Sequence, residues 1–98
     1  MEESHPLPEN TMHIYPNPMG EHMFLDYNEK PGTRIQVRIF NLSGSQVSSF
    51  VFQAGGGNET ASWQHQIDTP GAYIVRVMVQ NPDHWREESR LLIFTGVH

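Results

Sequence analysis

Residues 71–80 read GAYIVRVMVQ, and this stretch decides the fold class. Every second residue from Tyr73 to Val79 is aromatic or β-branched, which is the period of a strand with one face buried. Residues 34–39 (RIQVRI) and 23–27 (MFLDY) alternate in the same way. Apolar residues nowhere recur at the i, i+3, i+4, i+7 spacing beside a capping signal, so we expect no helix beyond a single turn.

Residues 62–67 (SWQHQI) alternate as well, and weaker strands are predicted in residues 12–15, 46–53 and 88–95. About seven short strands separated by turns are typical of an all-β protein, and we predict an antiparallel Ig-like β-sandwich over residues 11–98. Its core should contain the apolar residues of the alternating rows: Leu25, Ile35, Val37, Ile39, Trp63, Tyr73, Val75 and Val77.

Turn-forming residues lie between the predicted strands. Residues 41–44 (NLSG) predict a type I turn followed by a bulge, with Gly44 at positive φ. Residues 68–71 (DTPG) predict a type II turn with Gly71 at positive φ. Residues 28–33 (NEKPGT) and 81–83 (NPD) are further predicted turns, and residues 55–58 (GGGN) a flexible loop.

Composition restricts the class of protein. The chain has 98 residues, 11.2 kDa, no cysteine and a single lysine (Lys30), which fits one domain. Its net charge of -5, with six lysines and arginines, argues against binding to a nucleic-acid backbone, which requires a basic face. No apolar run approaches the roughly 20 residues of a transmembrane helix. Residues 1–10 (MEESHPLPEN) have no signal-peptide pattern, and their two prolines predict an extended linker or an expression remnant.

Candidate chemistry is sparse. The chain has six histidines, and no two of them lie at H-x-H or H-x-x-x-H spacing, so we predict no metal site. The acids Asp83, Glu87 and Glu88 near Trp85 do not follow a calcium-loop pattern, and no G-x-S-x-G motif holds a nucleophile. We therefore predict no cofactor and no enzymatic activity.

Some apolar residues are predicted to lie outside the core. Phe40, Ile74 and Met78 alternate away from the face that carries Val75, and we place Leu92 and Phe94 with them. Such an outer row indicates a partner surface. The alternatives are that loops cover the row or that a slip of one residue inverts the faces.

Four blocks of sequence together resemble a known family. These are residues 13–18 (HIYPNP) followed by MFL, residues 39–44 (IFNLSG), residues 70–77 (PGAYIVRV) and residues 90–93 (RLLI). In order and spacing they resemble the C-terminal sorting domain of the type IX (Por) secretion system, the type A sorting domain family. The motif residues that this resemblance marks, which we expect to be mainly structural, are Tyr15, Pro16, Asn17, Pro18, Gly44, Gly71, Tyr73 and Val75.

The resemblance implies an address domain. Such a domain directs its cargo from the periplasm across the outer membrane of Bacteroidetes-type bacteria to the cell surface or the medium. Its implied partners are the translocon, an outer-membrane β-barrel shuttle protein and a surface sortase that removes it, after which the cargo is released or joined to anionic lipopolysaccharide. We expect this chain to be the tail of a larger exported protein, cleaved in the linker before Thr11.

The resemblance also suggests which element is recognised. We expect the translocon or shuttle to bind the last strand, either along its edge or through its side chains. The partner-binding residues predicted on this basis are Arg90, Leu91, Leu92, Ile93, Phe94 and Thr95.

A second hypothesis is a small Ig-like carbohydrate-binding or adhesion module. Trp63 or Trp85 would then stack on a sugar ring, and Asp83 or nearby glutamines would supply polar contacts.

Overall fold

The computed structural model describes residues 11–83 and 85–96, which contain seven β-strands. Over these ranges there is no helix, and hence none long and apolar enough to cross a membrane. The predicted linker 1–10 and three of the histidines (His5, His84 and His98) lie outside the described residues. The strands are β1 Met12–Tyr15, β2 His22–Glu29, β3 Arg34–Asn41, β4 Gln46–Gln53, β5 Gly57–Gln64, β6 Gly71–Gln80 and β7 Trp85–Phe94.

The strands form two antiparallel sheets. Sheet A has the order β1-β2-β5, and sheet B has the order β4-β3-β6-β7. The alternation in each central strand turns one face inward, so the two sheets pack their apolar faces together. This arrangement confirms the predicted all-β, antiparallel sandwich.

The core lies between the sheets, and all eight predicted core residues are buried. Ile35, Val37 and Ile39 of β3 are paired in register with Val79, Val77 and Val75 of β6 in the centre of sheet B. Since directly opposite residues of an antiparallel pair share a face, these side chains all point toward sheet A. The period of two in residues 71–80 therefore sets the inner face of sheet B.

The start of β6 differs from the predicted turn. Gly71 is the first residue of β6 and has a φ of 157°, whereas the third position of a type II turn requires about +80°. The Tyr73 hydroxyl instead donates a hydrogen bond to the Thr69 carbonyl. A tyrosine at this place, bonded back to the backbone upstream, is a feature of immunoglobulin-like sandwiches.

The type II pattern occurs in the turn between β2 and β3. Gly32 follows Pro31 and has a φ of 83°, and the Thr33 amide donates to the Lys30 carbonyl at 3.2 Å. Proline at the second position and positive-φ glycine at the third are what a type II turn requires. The predicted turn in residues 28–33 is therefore confirmed.

The β5 strand begins and ends earlier than predicted. It starts at Gly57 because Glu29 of β2 pairs with that residue, so part of the predicted flexible loop is strand. It ends at Gln64, and Gln66 beyond it has a φ of 64°. His65 and Ile67 are nevertheless buried, so the predicted alternation of burial persists past the end of the hydrogen-bonded ladder.

Candidate recognition surface

The β7 strand lies at the edge of sheet B. It pairs with β6 over ten residues, from Gly71↔Phe94 to Gln80↔Trp85, and no other strand in the described chain pairs with its outer edge. The amide and carbonyl of Ile93 point to this outer edge, and by the alternation of an antiparallel ladder those of Leu91, Ser89 and Glu87 do so as well. An edge of this kind can accept an added strand.

The side chains of β7 correct the predicted outer face. Leu92 and Phe94 are 4% and 1% exposed, so placing them on the outer surface was wrong. Leu91 and Ile93 are the outward residues, at 60% and 41% exposed. The cause is the run LLIF, in which no polar residue marks a face. Pairing Leu92 opposite the buried Tyr73 turns it inward.

The other two predicted partner-binding residues are accessible. Arg90 is exposed and forms an ion pair with Glu88, its Nη2 lying 2.9 Å from Oε1. Thr95 is exposed just beyond the end of β7. Four of the six predicted residues, Arg90, Leu91, Ile93 and Thr95, are thus available to a partner, whereas Leu92 and Phe94 serve the core.

The outer face of sheet B carries a continuous set of apolar side chains. Phe40 of β3 pairs with Ile74 of β6, which pairs with Leu91 of β7, and Ile93 follows on the same face. These four residues are called the apolar patch below. The predicted outward direction of Phe40, Ile74 and Met78 is confirmed, since each is only partly buried while its strand neighbours face the core.

A pair of arginines lies beside the apolar patch. Arg38 of β3 and Arg76 of β6 are directly opposite each other, and they are called the arginine pair. The Arg76 guanidinium lies 5.3 Å from the centre of the Phe40 ring, and its Nε is 3.8 Å from Glu87 Oε2. Among the described residues, the Arg38 guanidinium has no hydrogen-bond or ion-pair partner.

The hairpin between β3 and β4 closes this end of the face. The Gly44 amide donates to the Asn41 carbonyl at 3.0 Å, Gly44 has a φ of 94°, and the β3–β4 register shifts at Phe40, which confirms the predicted turn with its bulge. The hairpin and the sheet together form an open depression. Its lining consists of Phe40, Asn41, Leu42, Gly44, Ile74 and Arg76.

The proline-rich motif after β1 contacts the last strand. Asn17 Oδ1 accepts a hydrogen bond from the Ile93 amide at 3.0 Å, and the Met19 amide donates to the Ile93 carbonyl at 2.6 Å. Met19 is 3% exposed and forms an isolated parallel bridge with Phe94. Residues 17–19 are called the clasp. It occupies the last part of the outer β7 edge, a role that sequence reasoning missed because 76 residues separate Asn17 from Ile93.

Tyr15 and the prolines flank the clasp. The Tyr15 hydroxyl donates to Asp26 Oδ1 at 3.0 Å, and its ring stacks on Phe24 with centroids 5.4 Å apart. Burial, followed by the hydrogen bond and the charge of Asp26, raises the pKa of Tyr15 above its ordinary value. Pro16 and Pro18 are exposed. These contacts hold Tyr15 against β2 at the point where the chain leaves β1 for the clasp.

His65 supports the clasp from the core side. Its Nδ1 accepts from the Ile67 amide at 2.9 Å, so its Nε2 carries the proton and donates to the Gly20 carbonyl at 2.6 Å. The ring also makes an edge contact with Phe94, with centroids 5.0 Å apart. Both ring nitrogens of His65 are thus bonded to backbone groups, and the ring packs against the end of β7.

The residues considered for other chemistry are dispersed. No group of three or more potential metal ligands occurs in the part of the chain that the structure describes. Trp63 is 5% exposed, so its proposed stacking on a sugar was wrong, whereas Trp85 is 62% exposed at the start of β7. Asp83 lies 3.7 Å from the Lys30 amine, with both side chains exposed.

The family of the chain follows from comparison with known proteins. No curated protein matches the chain significantly. The family model described as the secretion system C-terminal sorting domain matches residues 13–87, from β1 into β7. That span contains the first three blocks on which the resemblance rested, and it covers most of the sandwich. The chain therefore belongs to the secretion system C-terminal sorting domain family, the C-terminal sorting signals of type IX secretion.

Proposed function

We propose that this domain is the C-terminal address of an exported cargo, carrying it from the periplasm across the outer membrane to the cell surface or the medium. The family match over residues 13–87 supports the type IX route. The observation that carries the recognition step is the β7 edge strand. Its outer backbone groups from Glu87 to Leu91 pair with no strand among residues 11–83 and 85–96, and its Leu91 and Ile93 side chains are exposed.

The translocon and the outer-membrane β-barrel shuttle protein are the proposed binders of β7. An extended segment of the partner would pair with the free edge by main-chain hydrogen bonds, which supply affinity, while contacts with Leu91 and Ile93 supply specificity. The clasp already holds Ile93. An added strand that leaves the clasp in place would therefore pair with residues 87–91.

Removal of the address is the proposed last step. A surface sortase would cut before Thr11, and the cargo would be released or joined to anionic lipopolysaccharide. Pro6 and Pro8 in the sequence before Thr11 disfavour helix at the preceding residues and favour extended backbone. Extended backbone is the form that a protease cleft binds.

The experiment is export of a reporter in a type IX-competent host. A signal peptide, the reporter and residues 11–98 are fused, and the reporter is assayed in the periplasm and in the medium or on the surface. We expect the wild-type fusion to be exported and the Leu91→Ser, Ile93→Ser double variant to remain in the periplasm.

A matched control separates recognition from general surface polarity. Val47 and Val51 are exposed apolar residues of β4, the opposite edge of the same sheet. The Val47→Ser, Val51→Ser double variant should be exported like the wild type, and melting curves of the purified domains should show that both variants fold. Export of the folded Leu91→Ser, Ile93→Ser variant at the wild-type level would refute recognition through the outer face of β7.

A further inference from the structure

The arginine pair is not explained by the stability of the fold. Like charges directly opposite each other on neighbouring strands are destabilising. The charge of Arg76 is partly compensated by the Glu87 carboxylate and the face of the Phe40 ring. The Arg38 guanidinium has no such partner among the described residues. The chain has only six lysines and arginines and a net charge of -5. Two of its few cations thus lie opposite each other on one open face, where their repulsion destabilises the folded state.

Apolar side chains lie on one side of the pair. Arg76 lines the same depression as Phe40 and Ile74, and the exposed Leu91 continues the apolar patch toward the β7 edge. A guanidinium at the rim of an apolar depression binds a carboxylate more strongly than one in open water, because bound aliphatic groups exclude solvent from the contact. Cation and apolar contact are therefore available to one ligand at the same time.

We propose that the arginine pair and the apolar patch together form the docking surface for an acidic, aliphatic segment of the receiving protein. An aliphatic side chain of that segment fills the depression, and its carboxylates bind Arg38 and Arg76. The proposal rests on the proposed function, since it assigns the surface to the outer-membrane shuttle protein, and it adds the chemistry that the shuttle must present. Charge complementarity of this kind sets specificity and association rate.

Other occupants fit the charges less well. A second copy of the domain docked face to face around a two-fold axis at the pair would bring four guanidiniums together. An anionic lipid surface would meet the pair but also the negative charge of the whole domain, which repels such a surface. The net charge of the domain also repels an acidic segment, but a segment contacts only the pair and its neighbours, and charges beyond about 8 Å are largely screened at physiological salt.

The test measures binding of the whole 98-residue chain to the purified shuttle protein of a type IX-competent host, held in detergent micelles. We expect Arg38→Gln and Arg76→Gln each to weaken binding about tenfold, a typical loss for a charge-assisted contact. Binding by the wild type should fall as salt is raised from 50 to 300 mM (roughly the range over which surface charges become screened), and the double variant should respond less.

Arg34→Gln is the matched control. Arg34 lies on the same strand and the same face as Arg38, is exposed, and bonds Gln80 at the far end of the sheet from the apolar patch. This variant should bind within twofold of the wild type. The melting temperature of Arg38→Gln should equal or exceed that of the wild type, because the substitution removes like-charge repulsion without touching the core.

The outcomes separate the two proposals. If the wild-type domain does not bind the shuttle at all, both the proposed function and this surface are wrong. If it binds and Arg38→Gln binds equally well, or Arg34→Gln loses as much, only the docking surface is wrong. Binding to phosphatidylglycerol vesicles that requires the arginine pair, or a sedimenting dimer that Leu91→Ser abolishes, would assign the face to another occupant and overturn the proposal.

Discussion

Tyr73 stabilises the start of β6 in two ways. Its ring is buried in the core, and its hydroxyl donates to the Thr69 carbonyl. We expect Tyr73→Ala to lower the free energy of unfolding by about 3–5 kcal/mol, the usual result of deleting a buried ring. Tyr73→Phe should lower it by about 1 kcal/mol, since only the hydrogen bond is lost. Urea unfolding measures both, and a change below about 0.5 kcal/mol for Tyr73→Ala would contradict the burial.

Tyr27 should ionise at unusually high pH. Burial, and then the hydrogen bond and charge of Glu59 on the paired strand, raise the pKa of Tyr27 to about 12. The folded state therefore keeps this proton while the unfolded chain loses it near pH 10, so the contribution of Tyr27 to stability is present below pH 10 and is lost between pH 10 and 12. The difference in absorbance at 295 nm between the wild type and Tyr27→Phe isolates this titration. A midpoint near the ordinary value would contradict the prediction.

A single polar residue can show which face of a strand is buried. The sequence therefore predicted the buried face only in strands that contain such a residue. In residues 71–80, Arg76 interrupts the apolar run and marks the outer face, so the core residues there were predicted. In residues 91–94 (LLIF) no polar residue marks the outer face, and Leu92 and Phe94 were therefore assigned to the wrong face. Only the pairing of Leu92 with Tyr73, a tertiary contact, resolves the ambiguity.

At the scale of elements, alternation predicted the strands better than turn residues predicted the turns. Residues 30–33 and 68–71 both contain Pro-Gly, yet only the first adopts the type II geometry. In the second, the hydroxyl of Tyr73 bonds the Thr69 carbonyl and β6 begins at the glycine itself. The β5 strand likewise starts at a glycine, Gly57, because Glu29 at the end of β2 pairs with it. Long-range pairing overrides local propensity in both cases.

The clasp gives the proline-rich motif a function that no local pattern reveals. The acceptor of the Ile93 amide is the Asn17 side chain, so Asn17→Ala leaves that amide without a protein partner. We expect the Ile93 amide to exchange with solvent hydrogen at least tenfold faster and the free energy of unfolding to fall by about 1 kcal/mol. Hydrogen exchange followed by NMR measures the first quantity.

Two comparisons sharpen the Asn17 experiment. Asn17→Asp keeps an acceptor oxygen and should preserve most of the protection of the Ile93 amide. The Leu92 amide points into the β6 ladder by the alternation of the strand and should stay protected in both variants. Unchanged exchange of the Ile93 amide in Asn17→Ala would show that the clasp does not cover the edge.

At the scale of the whole sandwich, β7 is held near both ends, and between them its outer edge pairs with no other strand of the described chain. The clasp holds its end, and near its start Arg86 Nη2 lies 2.6 Å from Glu29 Oε2 of sheet A. Burial alone would lower the pKa of the Arg86 guanidinium, but the hydrogen bonds and charges of Glu29 and Glu88 outweigh that effect and raise it. Arg86 thus stays charged and ties the start of β7 to sheet A, while the clasp engages only Ile93 on the outer edge, so recognition is proposed at residues 87–91.

The Glu29–Arg86 ion pair should be one of the strongest links between the two sheets. The Glu29 side chain is 1% exposed, so Arg86→Met leaves a buried carboxylate without its cation, and we expect the free energy of unfolding to fall by about 3–5 kcal/mol. Replacing both residues, Glu29→Met with Arg86→Met, should recover most of that loss, because two apolar side chains carry no desolvation cost. Lys30→Met, which breaks the exposed pair with Asp83, should change stability by no more than about 0.5 kcal/mol. Urea unfolding of the wild type, Glu29→Met, Arg86→Met and the double variant gives the coupling energy. An Arg86→Met variant as stable as Lys30→Met would show that the ion pair does not hold the sheets together.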